Sequence, residues 1–400
     1  MNTKRLLLAA TLALSAAATL VLTPPAATGR GLQSPVAGAF DSGGWEIKDP
    51  KARREEHLGR QSLYLTSGFA FLKDAAFEDG VIEVDIAAPT LRSFVGVVFR
   101  FESEDEHEIV YFRPHKSGLE DAVQYTPSFN GSACWQLYSG RGFTAAAPIP
   151  KQRWVRARIE VEGLGGRVYL DNSEKPVLVI EDLKRGHSRG TVGLWAGANG
   201  GHFSNFTYRA APAAGGRERR PSAPPFAPAA GTIVKWELSE AFDVGARDAE
   251  SLPPAAELSA MKWQAVGVEP PGMVVVDRYR RSPSVVRFFA EPAERTGKRE
   301  GRRFVYARAV IHSERESVKR MSLGYSDEAT VFLNSRPVFS GRSAFRYRDP
   351  GFLGIMDVEN DAVYLDLKKG RNELVLAVAD YFGGWGFIAR LDDMQGVRLE

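Results

Sequence analysis

The chain has one cysteine, Cys134, in 400 residues. No intrachain disulfide can form and cysteine-rich metal sites are excluded, so the fold must stand on its core alone. Cys134 lies beside Trp135, a setting that suits a small apolar filler better than a nucleophile. The six histidines (57, 107, 115, 187, 202 and 312) are scattered, and no His-Glu-x-x-His occurs, so a zinc site is not expected. A nucleophile elbow is also missing: Gly324-Tyr325-Ser326-Asp327-Glu328 fails at its last position. Gly163–Gly166 and Gly197–Gly201 lack the strand-to-helix pattern of a phosphate-cradling loop and read as hairpin turns, so no nucleotide cofactor is implied. Helical periodicity is nearly absent; Ala255–Met261 is the exception.

Excess charge is lacking too. The formal charge is +3, and three cations, Lys4, Arg5 and Arg30, belong to the N-terminal leader. Without them the chain is balanced, so there is no electrostatic case for nucleic acid. The basic run Arg217–Arg220 sits in a Pro/Ala/Gly stretch and reads as solvating a linker. The leader, residues 1–30, has a basic start followed by the apolar run Leu6–Leu22 and then small residues and prolines, the pattern of a signal peptide. Cleavage fits Ala16–Ala18 or the surroundings of Ala27. No cysteine follows to carry a lipid. An uncleaved anchor is the alternative, since the run could span a thin bilayer. No later segment is apolar and long enough to span. The expected location is secreted or periplasmic, with no membrane contact after cleavage.

What is present is β-pattern. Residues 40–209 read as one domain, with Val81–Ile86 alternating and Phe94–Phe101 nearly continuously apolar. Glu108–Phe112, Trp135–Tyr138, Val155–Val161, Val168–Leu170, Val177–Ile180, Thr191–Trp195 and Phe203–Tyr208 follow. Residues 210–232 form a Pro/Ala-rich linker, expected to hold two domains apart as a tether. Residues 233–400 repeat the β-pattern in Phe304–His312, Lys319–Tyr325, Ala329–Leu333, Ala362–Leu367, Glu373–Ala379 and Phe387–Leu391. The predicted fold class is all-β: two antiparallel β-sandwich (jelly-roll) domains.

Tyr111–Tyr138 breaks the apolar alternation with Arg113, His115, Asp121, Gln124, Tyr125, Asn130, Trp135, Gln136 and Tyr138. Flat aromatics stack on the C–H face of a pyranose, while amides, guanidinium and carboxylate hydrogen-bond its hydroxyls. These residues are the predicted ligand site. Trp385, between glycines in Gly383–Phe387, is a further candidate for stacking, or else a closing core residue.

The order GWEIKD (Gly44–Asp49), EEHLGRQSLYL (Glu55–Leu65), FEDGVIEVDI (Phe77–Ile86), FRPHKSG (Phe112–Gly118), QYTPSFNG (Gln124–Gly131) and WQLY (Trp135–Tyr138) resembles bacterial concanavalin A-like, laminin-G-like jelly rolls. These are related to the 3-keto-disaccharide hydrolase domain family. The resemblance implies a curved two-sheet sandwich whose concave face often receives glycans. In the second domain, FVYARAVIHS (Phe304–Ser313), YSDEATVFLNSRPVF (Tyr325–Phe339), LKKGRNELVLAV (Leu367–Val378) and GGWGFIARLDD (Gly383–Asp393) resemble galactose-binding-like jelly rolls.

Hydrolytic relatives of the concanavalin fold carry Glu-x-Asp-x-x-Glu on one strand. Glu83-Val84-Asp85 matches its first half, but Ala88 stands in place of the third acid. Glu83 and Asp85 therefore read as catalytic candidates or as a solvent-facing pair. His115 with Asp121 and Glu120 could move a proton, or His115 could shape a loop. No other cofactor is expected. Both resembled folds often carry structural calcium on loop oxygens, and Asp392 and Asp393 are the candidate pair, or else a solvated strand end. Asp327 and Asn334 flank a strand and read as turn caps or ligand contacts.

Three functions follow. The first is a secreted non-catalytic glycan-binding protein, its partner a poly- or oligosaccharide and its two modules sharing avidity through the linker. The second is an enzyme of the 3-keto-disaccharide hydrolase kind, a glycoside hydrolase or lyase acting on a (keto-)disaccharide. The third is an extracellular protein-interaction module. Fold alone does not separate them.

Overall fold

The computed structural model describes residues 34, 36–37, 40, 43–211, 226–282 and 302–400. The leader, the basic run Arg217–Arg220 and most of the linker lie outside the described residues. Among the described residues the strands form four antiparallel sheets, two before the linker and two after it. The expected all-β class is therefore observed. No described helix is long and apolar enough to cross a membrane.

In the first sandwich, one sheet runs in the order Leu178–Ile180, Gly165–Leu170, Trp154–Glu162, Gly80–Ala87, Gly201–Ala210, Arg60–Leu65, Arg53–His57. The facing sheet runs Ser132–Ala133, Val123–Phe129, His107–Phe112, Phe94–Phe101, Thr191–Gly197, Gly68–Leu72, Trp45–Lys48. Side chains alternate between the faces of a strand, so Ile82, Val84 and Ile86 meet Val95, Val97, Phe99, Val110 and Phe112 between the sheets. In the second sandwich, Arg303–Ser313, Gly370–Ala379 and Glu328–Leu333 form the middle of the larger sheet. Val305, Ala307 and Leu376 from it enclose a core with Met321, Leu323, Tyr325 and Trp385.

One local reading changes, and one strand is new. Trp135–Tyr138 is not a strand: the amides of Leu137 and Tyr138 both donate to Cys134 O, at 3.3 and 3.2 Å, and wind the segment into a turn. Val123–Phe129 is a strand despite Pro127, paired on one side with His107–Phe112 and on the other with short pieces only. Proline is tolerated where no long ladder needs its missing N–H.

The two sandwiches are not held apart. Phe129, Cys134, Leu137 and Tyr138 of the first share an apolar cluster with Met273, Val275 and Ile388 of the second. Backbone bonds cross the seam: Gln136 N donates to Gly383 O at 2.9 Å, and Met356 N donates to Gln136 O at 3.0 Å. Lys184 pairs with Glu269 at 3.5 Å, and Arg281 pairs with Asp105. The tether reading gives way because the turn after Val123–Phe129 is an apolar plug seated in the second sandwich.

Candidate functional site

The polar and aromatic residues of Tyr111–Tyr138 are mostly consumed internally. Tyr125 faces the sandwich core, donating to Glu108 Oε1 at 2.6 Å and accepting from Lys184 N at 2.7 Å. Tyr138 donates to Glu269 at 2.9 Å, Asn130 Nδ2 donates to Asp277 O at 2.6 Å, and Gln136 Nε2 donates to Leu353 O at 2.7 Å. These three residues hold the seam; Tyr138 and Gln136 are buried in it and Asn130 is half-buried at its edge. Tyr125, Gln136 and Tyr138 have no exposed surface, which removes them as ligand contacts. Trp385 is likewise fully buried, its indole donating to Val378 O at 3.1 Å, so it is a core residue.

The segment nevertheless borders an aromatic surface on the outer face of the sheet that contains it. Strand register lines up residues across that face. Lys48 opposes Phe69, Phe69 opposes Trp195, Trp195 opposes Gly96, Gly96 opposes Tyr111, and Tyr111 opposes Gln124. The next row runs Glu46, Phe71, Gly193, Val98, Ile109, Thr126. The glycines let the rings close over the middle. A Cβ on Gly96 would lie 2.8 Å from Tyr111 Cβ, and one on Gly193 would lie 2.8 Å from Phe71 Cβ. Trp195 then meets Tyr111 at 5.7 Å between centroids and Phe94 at 6.4 Å, and Phe94 meets His115 at 5.0 Å.

A bulge supplies one further ring. Between Val98 and Phe101 the strand carries an extra residue relative to Gly193–Thr191, and Arg100 there has φ +47°. The bulge shifts the alternation, turning Arg100 inward and Phe101 onto the outer face, stacked on Phe71 at 4.7 Å. Arg100 is wholly buried. It donates to the carbonyls of Glu78, Gly163 and Gly186 at 2.6–2.8 Å and meets Glu108 and Asp79 at 3.2 Å each.

Phe69, Phe94 and Trp195 are half-exposed on this platform, whereas Phe71 and Tyr111 are buried as its floor. Beneath them Tyr111, Arg113 and Gln124 satisfy one another. Tyr111 Oη donates to Gln124 Oε1 at 2.8 Å, and Arg113 donates to Tyr111 Oη at 2.6 Å and to Asp121 O at 2.6 Å. Arg113 and Gln124 are therefore supports, not contacts. Lys48 lies over Phe71 and pairs with Glu104 at 3.1 Å. Beside them is a cleft of about 870 Å³ lined by Glu46, Lys48, Phe71, Phe101, Glu104 and Arg189.

His115 stands at the other end, half-buried. Its Nδ1 lies 3.0 Å from Ser93 O, a bond to a carbonyl that fixes the proton on Nδ1 and leaves Nε2 as an acceptor. Burial, then the charge of Arg92, pushes its pKa down to about 4, so the ring is neutral. Asp121 is tied to Lys116 and, at 3.4 Å, to Arg113. Each member of the expected His115–Asp121 couple is thus engaged elsewhere, and Glu120 is exposed.

The remaining candidates lie away from this face. Glu83 and Asp85 project from the opposite sheet. Arg156 meets Glu83 at 3.2 Å and Asp85 at 3.5 Å, and Arg60 and Asn205 bond Asp85 at 2.5 and 2.7 Å. Both carboxylates are thus held by arginines on that face. Asp392 bonds Arg320 and Asp393 bonds Lys319, which keep both below the usual carboxylate range, for Asp392 against the opposing effect of burial. The two acids therefore face separate cations instead of converging. Asp327 accepts from Tyr381 N and Phe382 N at 2.6 Å each, and Asn334 bonds Asn372 at 2.9 Å; both shape loops. Among the described residues no cluster of three or more His, Cys, Asp or Glu could hold a metal ion.

Phe69, Phe94, Phe101 and Trp195 were not expected as site residues. Their signal was the near-continuous apolar run Phe94–Phe101, since a strand apolar on both faces needs apolar neighbours on both.

Compared with known protein families and with curated proteins, the sequence matches none. Among solved structures, the chain is similar to the carbohydrate binding module CBM66 from Bacillus subtilis, at 19% identity over 42% of this chain and 96% of that one, with a TM-score of 0.33. It is similar to a Bacillus subtilis protein of galectin-like fold, at 11% identity over 42% and 89%, TM-score 0.32. It is also similar to the VIP36 exoplasmic/lumenal domain in a Ca2+/Man3GlcNAc-bound form, at 10% identity over 45% and 90%, TM-score 0.34. The sandwich architecture described above rests on strand pairing, not on these likenesses.

Proposed function

We propose that this chain is a secreted or periplasmic, non-catalytic glycan-binding protein. Its poly- or oligosaccharide ligand lies on the outer-face platform of the first sandwich. The observation that carries this reading is the cross-strand row Lys48–Phe69–Trp195–Gly96–Tyr111–Gln124, which presents the half-exposed rings of Phe69 and Trp195 beside Lys48 over the buried support of Tyr111 and Gln124. Ring faces suit the C–H side of a sugar, and His115 Nε2 with the rim charges suits its hydroxyls. Family membership follows the same reading: a laminin-G-like first sandwich related to the 3-keto-disaccharide hydrolase domains, and a galactose-binding-like second one, as the motif order suggests. The hydrolytic alternative is less well supported, because Glu83, Asp85 and Asp121 are held by cations and His115 lacks an acid partner.

The test is calorimetric titration of the purified chain with soluble poly- and oligosaccharides, with and without calcium. Saturable binding is expected, weakened at least about tenfold, or about 1.4 kcal/mol, by Trp195→Ala. Binding to no glycan under either condition would sink the proposal.

A further inference from the structure

We propose that the second sandwich completes this site, so that a single glycan chain lies across both domains with its far sugars on Trp135 and Phe345. The inference rests on the glycan-binding reading and deepens it: the ligand becomes a polymer chain, not a mono- or disaccharide.

A second ring patch lies beyond the edge of the first sandwich, linked to the platform through the buried Tyr111 and Arg113. The Arg113 guanidinium lies over the Tyr111 ring at 4.7 Å and over the Trp135 ring at 5.9 Å, joining the platform to the indole. Trp135 meets Phe345 at 5.9 Å and Phe382 at 5.8 Å, both edge-on, and Phe345 meets Phe382 at 6.0 Å. Trp135 and Phe345 are half-exposed, and Phe382 is buried beneath them. The exposed Arg346 lies over Phe345 at 5.1 Å. A half-exposed ring, a cation and a buried aromatic floor are thus repeated on the far side of the seam, facing Trp135.

The junction is built to hold this alignment. Gln136, next to Trp135, is clasped by Gly383 O and Leu353 O. Gly383 has φ +92°, and a Cβ there would lie 2.6 Å from Trp135 Nε1. The backbone of the second sandwich therefore runs directly against the indole, which only glycine permits.

Length sets the ligand class. Six strands lie between Lys48 and Gln124 inclusive, a span of roughly 24 Å at about 4.8 Å per strand, before Trp135 is reached. No single sugar ring covers that distance.

The experiment is titration of the full chain with ladders of cello-, xylo-, manno- and fructo-oligosaccharides, from dimer to octamer. For the series that binds, wild-type affinity should keep rising with length. Trp195→Ala should weaken every length. Phe345→Ala should weaken the octamer at least about fivefold while leaving the shortest binding oligomer within about twofold. If Phe345→Ala fails to fold, Phe345→Leu keeps the apolar volume, removes the ring face and is held to the same criterion. Octamer binding unchanged by the Phe345 variant, with Trp195→Ala still harmful, overturns the composite site alone. An equal loss at all lengths overturns it too. Absence of wild-type binding to every ladder overturns the glycan reading together with this one.

Discussion

At the scale of single residues, His107 shows how the platform is linked to pH. It sits beside Phe69 and Phe101, with Nδ1 3.2 Å from Ser103 O. Burial pushes its pKa down to about 4. The unfolded chain takes up this proton near pH 6.5, and the folded chain does so only near 4. Between those values the unfolded state binds more protons, so the contribution of His107 is full above about 6.5 and is lost as pH falls toward 4. The buried acids Asp277 and Asp327 are shifted up by burial and act with the opposite sign. The clean readout is therefore a difference. The stability of wild type relative to His107→Gln should fall by about 3 kcal/mol between pH 7 and 4, followed by urea denaturation. A constant difference would show that His107 is not buried neutral.

Among elements, the strand Phe94–Phe101 does most to form the site, and its bulge depends on Arg100. Removing that side chain leaves Glu108 buried without its cation and releases the alternation that turns Phe101 outward. Arg100→Ala is expected to cost about 3–5 kcal/mol in denaturant titrations, and a loss under about 1 kcal/mol would contradict the account. The strand itself was legible from its composition, as were most strands of both sandwiches, because period-two alternation over a one-sided core is a local signal. The bulge was not legible: an arginine in FVGVVFRF reads as solvent-facing, and its buried partners are distant in sequence. The site was half legible for the same reason. Polar and aromatic residues in Tyr111–Tyr138 mark a special surface, but composition does not distinguish a surface that meets a ligand from one that meets another domain. Trp135 borders the platform, whereas Gln136 and Tyr138, its near neighbours, serve the seam. The turn after Cys134 separates these roles, and it packs into the second sandwich, a partner far away in the sequence.

For the whole molecule, the seam replaces the picture of two beads on a tether. Fixed sandwiches gain nothing from the effective concentration of a linker; they gain from preorganisation, since the rings are aligned before a ligand arrives. Gly383 is the position to test. Its positive φ and the closeness of Trp135 leave no room for a methyl group, so Gly383→Ala should pry the sandwiches apart while leaving each core intact. Wild type should melt in one transition and the variant in two, by calorimetry.

Cys134 adds a use of its own. It is the only thiol in the sequence. It lies in the seam with no exposed surface, its single S–H shared between Ser132 O at 3.4 Å and Asp277 Oδ2 at 3.3 Å. Burial and the neighbouring Asp277 keep it protonated. A thiol reagent can reach it only while the sandwiches are separated, so the labelling rate of the unmodified protein times how often the molecule opens, without any engineered probe. Gly383→Ala should speed that clock and a bound oligosaccharide long enough to bridge the seam should slow it.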